Sequence, residues 1–126
     1  MYLMDTCSFI WYIETSERLP QNIRDLIDNS SNIFLSQATF WEIAIKQTIK
    51  KLDLEMTISE IEKKCKENLI TILPLRTAYF EKIQTLPLIH RDPFDRIIIA
   101  TAIEEGLTLI TNDSEIVKYK DVKTIW

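Results

Sequence analysis

A chain of 126 residues, 46% hydrophobic and 27% charged, is sized for one domain, taken here as residues 1–126, and is too apolar to be disordered. Its formal net charge of −4, from 19 acidic and 15 basic residues, speaks against a broad basic surface for nucleic acid, because phosphate contacts register as an excess of Lys and Arg. A single glycine cannot build a P-loop or a dinucleotide-binding loop, which excludes both of those enzyme classes.

The first segment, "YLM" at 2–4, reads as a strand, and Met1 to Asp5 carries no basic region of the kind that opens a signal peptide. A helix is expected over 7–14. Its run "FIWYI" is too short to span a bilayer, so no membrane partner is expected and the cytosol is the expected compartment. Five large apolar residues in succession either form a well-buried first helix or leave part of that helix free for a protein partner. Cys7 and Cys65 make no CxxC, which fits a reducing compartment and argues against zinc. Cys7 lacks a basic partner that would make it a nucleophile, and a small buried hydrophobe is the expected role.

Further helices are expected over 20–29, 38–51, 57–67, 76–84, 93–105 and 114–119, interleaved with strands "IFLS" (33–36), "ITIL" (70–73), "LTLIT" (107–111) and "KTIW" at the end. Such alternation implies a parallel sheet of about five strands with helices on both faces. Gly106 stands where a helix stop is needed between 93–105 and the following strand. The segment 93–105 carries Ile97, Ile98, Ile99, Ala100, Ala102 and Ile103, apolar around most of its circumference, so it should lie deep between neighbours.

Acidic residues sit at the edges of this apolar framework. Asp5 follows the first strand and Asp113 follows "LTLIT"; in a parallel sheet the carboxyl ends of all strands share one edge, where ligand sites form near a reversal of strand order. Each could instead cap a helix. Asp92 before Pro93 is a good helix start, and Asp95 then falls at the third helical position, where a carboxylate favours the positive end of the helix dipole. Glu42 shares a helical stripe with Ala38, Ile45 and Ile49, interrupting an apolar face. An ion pair with Lys46 one turn on is the ordinary explanation. A charge among Phe40, Trp41, Ile43 and Ala44 is costly without a partner, and a metal would supply one. Four carboxylates brought together repel one another unless a cation intervenes. A hard divalent ion such as Mg²⁺ or Mn²⁺ accepts oxygen ligands of this type and suits hydrolysis of a phosphodiester by an activated water.

The pieces "LMDT" (3–6), "FWEIAIK" (40–46), "HRDPFDRIIIATA" (90–102) and "GLTLITND" (106–113), in this order along the chain, resemble those of PIN-domain proteins, in particular VapC-type toxins of type II toxin–antitoxin pairs. The resemblance implies a three-layer α/β/α fold and Mg²⁺- or Mn²⁺-dependent endoribonuclease activity, with Asp5, Glu42, Asp95 and Asp113 as the acids that hold metal. It implies Asp92 as an additional acid, either a ligand or only a cap, and Thr6 and Thr111 as hydroxyls that orient a carboxylate or a metal-bound water; Asn112, next to Asp113, joins them as a supporting residue. A cognate antitoxin that blocks the site and a homodimer are also implied.

Basic residues near these acids could hold an RNA backbone. Arg96, next to Asp95 at a helix start that favours anions, is the first choice for a phosphate, followed by Arg91 and Lys46. Lys50 and Lys51 read as solvated surface charge. The only histidine, His90, reads as a loop hydrogen-bonding residue. A phosphate-accepting receiver domain would need an aspartate at the end of the third strand, where Leu73 and Pro74 stand. A haloacid-dehalogenase-type phosphatase needs Asp-x-Asp where this chain has Asp5, Thr6 and Cys7. A non-catalytic scaffold that keeps its carboxylates for binding is the alternative to the nuclease.

Overall fold

Side-chain alternation in short, doubly buried strands sets the architecture. In the computed structural model, which describes residues 1–126, strand β1 (Tyr2–Met4) sends Leu3 into one apolar layer and Met4 into the other. Strand β4 (Thr108–Ile110) does the same with Leu109 and Ile110. All four side chains are fully buried. Strands covered on both faces need apolar residues at odd and even positions alike, which is why they read as unbroken hydrophobic runs.

Between and after them come α1 (Thr6–Ile13), α2 (Gln21–Asn29), β2 (Ile33–Ser36), α3 (Gln37–Thr48), α4 (Ile58–Glu67), β3 (Ile70–Leu73), α5 (Thr77–Thr85), α6 (Pro93–Glu105) and β5 (Thr124–Ile125). The five strands form one parallel sheet in the order β3-β2-β1-β4-β5. Met4 lies in register with Leu35 on one side and Ile110 on the other. Phe9, Ile23, Ile27 and Ile61, from α1, α2 and α4, pack on one face with Ile43. Tyr79 of α5 and Ile98 and Ile99 of α6 pack on the other. Helix α3 reaches both layers, through Ile43 on one side and Ala38 on the other. From β1 the chain builds outward to β2 and β3, then returns to the opposite side of β1 as β4. Strand order therefore reverses between β1 and β4, and a crevice opens at their carboxyl ends.

Helix α6 spans the residues its ends dictate. The Asp92 carboxylate accepts from the N–H groups of Phe94 and Asp95, Pro93 opens the first turn, and Gly106 closes the helix in the left-handed region at φ +65°. A Cβ at Gly106 would meet no neighbour, so Gly106→Ala incurs only the backbone penalty. Urea unfolding is expected to show a loss of about 1 kcal/mol at unchanged m-value.

Other expectations need correction. Helix α3 ends at Thr48, not at 51, because Lys50 turns to φ +58° and the Lys51 N–H donates back to the Lys46 carbonyl at 2.8 Å. The segment 114–119 forms a single 3-10 turn, Ile116–Lys118, and Tyr119 leaves it in extended conformation. The "FIWYI" run is an internal helix: Phe9, Ile10 and Tyr12 are buried, and Trp11 packs edge-on against Trp126. Cys65 is buried, but Cys7 is exposed. The buried face of α3 carries Ala38, Thr39, Glu42 and Ile43, leaving Trp41, Ile45 and Ile49 at 60%, 37% and 53% exposure. No helix is long and apolar enough to cross a membrane.

Candidate active site

Asp5 leaves the end of β1 directly into α1, and its position is fixed from both sides. Its backbone N–H donates to the Ile110 carbonyl of β4, and its Oδ1 accepts from the Ser8 N–H at 2.8 Å as the cap of α1. The Ser8 hydroxyl stitches the junction further, donating to the carbonyls of Asp5 and Ile110. Burial raises the Asp5 pKa above the ordinary carboxylate value, against the pull of the Thr111 hydroxyl and the Ser8 N–H toward the charged form.

Asp113 arrives just past the end of β4, beside Asp5 across the strand reversal. Its Oδ1 accepts from the N–H groups of Glu115 and Ile116, and its Oδ2 lies 3.1 Å from His90 Nε2. Partial burial raises its pKa, but His90 and these N–H groups outweigh that and hold it below the usual value. Asp95, at the start of α6, places its own Oδ2 at 3.1 Å from the same His90 nitrogen. Its pKa is pushed up to about 7 by burial and by the charges of Asp92, Glu42 and Asp5, with His90 opposing. One ligand atom from each of His90, Asp95 and Asp113 lies within 4.8 Å of the others.

Glu42 enters from α3 and is 3% exposed. Its Oε2 is paired with Lys46 Nζ at 2.6 Å, an i,i+4 ion pair that raises the lysine pKa. Its Oε1 is buried with no hydrogen-bond partner. An orphaned carboxylate oxygen in a native-like interior calls for an ion or a water, since leaving it bare costs about 1–3 kcal/mol or more. Asp5 and Glu42 stand outside the 4.8 Å group of His90, Asp95 and Asp113, but their charges act on Asp95, and the acids at this edge offer carboxylate oxygens, the chemistry of Mg²⁺ and Mn²⁺. These residues fit a hard divalent cation.

The supporting residues divide by partner. Thr111 accepts from the Asp113 N–H and acts on Asp5, linking two acids. The Thr6 hydroxyl instead pairs with that of Thr39 at 3.1 Å, tying α1 to α3. Asp92 caps α6, and Asn112 is exposed. Arg91 is exposed in a cleft of about 580 Å³ that His90, Pro93 and Leu88 also line.

Arg96 does not present a free guanidinium to phosphate. It is buried, with Nη1 donating to the Pro87 carbonyl at 2.9 Å and to the Tyr119 hydroxyl at 3.2 Å, while Nη2 donates to the Ile83 carbonyl at 3.1 Å. Helix α6 sets Arg96 against the loop that leaves α5, in the wall of the cleft that His90 and Arg91 also line. Arg96→Ala is therefore expected to lower stability by about 2–4 kcal/mol in chemical denaturation, because it leaves buried acceptors unpaired. Calorimetry on the folded variant should find that it still binds Mn²⁺, because the guanidinium touches none of the acids.

His90 is the functional position that sequence reasoning undervalued. Besides a loop hydrogen bond, in which Nδ1 accepts from the Asp92 N–H, its ring reaches two of the acids. The signal available was its place as the sole histidine, two residues before the aspartate that caps α6.

A parallel α/β/α sandwich with four carboxylates at or near the carboxyl edge of its sheet, beside the strand reversal, defines a class of acidic-site α/β proteins. Within it, the PIN domain profile matches residues 2–122, and the chain belongs to the PIN-domain family. Ribonuclease VapC22 of Mycobacterium tuberculosis is 21% identical over 126 residues, covering 98% of this chain and 97% of that protein. FitAcB from Neisseria gonorrhoeae superposes with a TM-score of 0.70 at 18% identity, over 100% of this chain and 97% of that one. VapBC-1 from nontypeable Haemophilus influenzae gives 0.70 at 20% identity, over 98% and 96%. VapBC2 from Rickettsia felis, solved bound to a promoter DNA fragment, gives 0.69 at 16%, over 98% and 96%. At these identities the structural likeness establishes the fold.

Proposed function

We propose that the chain, acting as one PIN domain over residues 1–126, is a divalent-metal-dependent endoribonuclease and the toxin of a toxin–antitoxin pair. The observation that carries this is the buried, partnerless Oε1 of Glu42, beside an Asp95 that burial first, and then the charges of Asp92, Glu42 and Asp5, lift to about 7. The ribonuclease name of the Mycobacterium tuberculosis relative supports RNA as the substrate.

Asp5, Glu42, Asp95 and Asp113 would hold the cation. When bound, Mg²⁺ or Mn²⁺ supplies Lewis acidity, activating the attacking water and offsetting charge that develops on the phosphoryl oxygens. Capping and backbone contacts to Asp5 and Asp113 fix these carboxylates before substrate arrives, so little reorganisation is left for the reaction. Lys46 pairs with Glu42, and its remaining N–H donors, with the exposed Arg91, would hold the substrate backbone. With two cations at the site's edge, the overall charge of −4 is offset locally by the bound metal, not by a basic surface.

The antitoxin, or a second copy in a homodimer, would cover the exposed apolar side chains Trp41 and Ile45 of α3, Ile49 just past its end, and Phe80 of α5. This assignment replaces the "FIWYI" helix, whose residues are used internally. The cytosol is the proposed compartment.

The test is incubation of purified, antitoxin-free protein with structured and unstructured RNAs in Mg²⁺ or Mn²⁺, beside an EDTA control. Cleavage that EDTA abolishes is the expected result. Metal binding without cleavage of any RNA would favour the non-catalytic scaffold, and cleavage that survives EDTA would overturn the metal role.

A further inference from the structure

We propose that His90 is a positioning residue of the acidic site, acting as a hydrogen-bond donor that holds Asp113 beside Asp95, and not as a metal ligand. The inference rests on the metal-dependent reading above and specifies how two of its acids are kept in place.

His90 is fixed at three points, one through its backbone and two through its ring. The His90 backbone N–H donates to the Tyr119 hydroxyl at 2.8 Å, and that hydroxyl in turn donates to the Pro87 carbonyl at 3.0 Å. The Asp92 N–H donates to Nδ1 at 3.1 Å. Nε2 then makes a hydrogen bond with Asp113 Oδ2 at 3.1 Å, with Asp95 Oδ2 at the same distance. Tyr119 is buried, so the loop is anchored from below as well as by the ring.

These contacts assign the tautomer. An Nδ1 that accepts from a backbone N–H carries no proton, so the ring proton sits on Nε2. Nε2 therefore donates to Asp113 Oδ2, with Asp95 Oδ2 beside it. To ligate a cation through Nε2, the ring would have to move its proton to Nδ1, where it would face the Asp92 N–H. His90, Asp95 and Asp113 are as close together as the ligands of a metal, yet the Asp92 N–H makes one of the three a donor. The metal set is left with carboxylates alone, which keeps it hard and suited to Mg²⁺ or Mn²⁺.

The geometry also gives His90 something to correct. Asp113 follows β4 and Asp95 begins α6, so two like charges from different elements must share a small volume. One N–H beside the two Oδ2 atoms reduces their repulsion and holds the Asp113 carboxylate in place. It leaves Asp95 Oδ1 without a protein hydrogen bond and available to a cation. Partners of this kind behind metal ligands are worth about 10–100-fold in metal affinity.

The test is Mn²⁺ titration by calorimetry of wild type, His90→Phe and His90→Gln, with electron spin echo envelope modulation of Mn²⁺-loaded wild type. His90→Phe keeps the bulk and removes the donor; it is expected to weaken Mn²⁺ about 10–100-fold. His90→Gln restores an N–H and should recover much of that loss, and wild type should give no signal from directly coordinated ¹⁴N. A ¹⁴N coupling in wild type would make His90 a ligand and overturn the inference, a readout that stands even if His90→Phe does not fold. Equal affinity in the three folded proteins would also overturn it while leaving the metal site intact. Failure of wild type to bind Mn²⁺ would overturn the metal reading itself, and this inference with it.

Discussion

Asp5→Asn is expected to leave the fold intact and reduce metal-dependent RNA cleavage by on the order of 10³-fold or more, beyond the 10–100-fold attached to groups behind the ligands. The substitution is informative because Asp5 has two separable jobs. As the cap of α1 its Oδ1 accepts from the Ser8 N–H, and asparagine caps as well as aspartate does. The junction with Ile110 runs through backbone and Ser8 atoms that the substitution does not touch. Burial already disfavours the charged form of Asp5, so loss of the charge should not lower stability. A thermal melt matching wild type, beside single-turnover cleavage reduced to background, is the expected pair of results. A folded variant that cleaves at the wild-type rate would return Asp5 to a purely structural role.

Asp95→Asn should make the metal-free protein more stable at pH 8 while removing its capacity for metal. The sign follows from the raised pKa of about 7 against an ordinary carboxylate value in the unfolded chain. Between roughly pH 4 and pH 7 the native state keeps a proton that the unfolded state has lost, so stability falls as pH rises through that window, and the full penalty is present above it. A shift of this size corresponds to about 4 kcal/mol, due first to burial and then to the charges of Asp92, Glu42 and Asp5, and asparagine relieves part of it. The asparagine oxygen can still accept from His90. The expected outcome is a melting temperature higher by roughly 5–10 °C at pH 8, with little difference near pH 4.5. Added Mn²⁺ should raise the wild-type melting temperature and not that of the variant. Equal pH dependence in the two proteins would remove Asp95 from the repelling cluster.

The residues that locate the acids were readable in sequence because each depends on a local rule. Asp92 and Pro93 start α6, Gly106 stops it, and two aspartates directly after parallel strands must lie on one edge of the sheet. What escaped was set by contacts between distant segments. The guanidinium of Arg96 meets carbonyls of Ile83 and Pro87 and the hydroxyl of Tyr119; no local pattern announces acceptors gathered by a loop and a later turn. His90 became part of the cluster for the same reason, since that loop brings its ring between α6 and the end of β4. The rotation of helix α3 differs from the one its stripe suggests. Its stripe of Ala38, Glu42, Ile45 and Ile49 looked like the core face, but a helix serving both layers buries Ala38 on one side and Ile43 on the other, and Ile45 and Ile49 turn outward.

The most direct test of the central claim compares two quantities on one preparation: Mn²⁺ occupancy from calorimetry and the single-turnover rate of RNA cleavage across the same Mn²⁺ range. If the carboxylate cluster is the metal-dependent nuclease centre, rate and occupancy rise together in wild type and both stay at baseline in Asp5→Asn. A rate independent of Mn²⁺, or cleavage undiminished in folded Asp5→Asn, would contradict it.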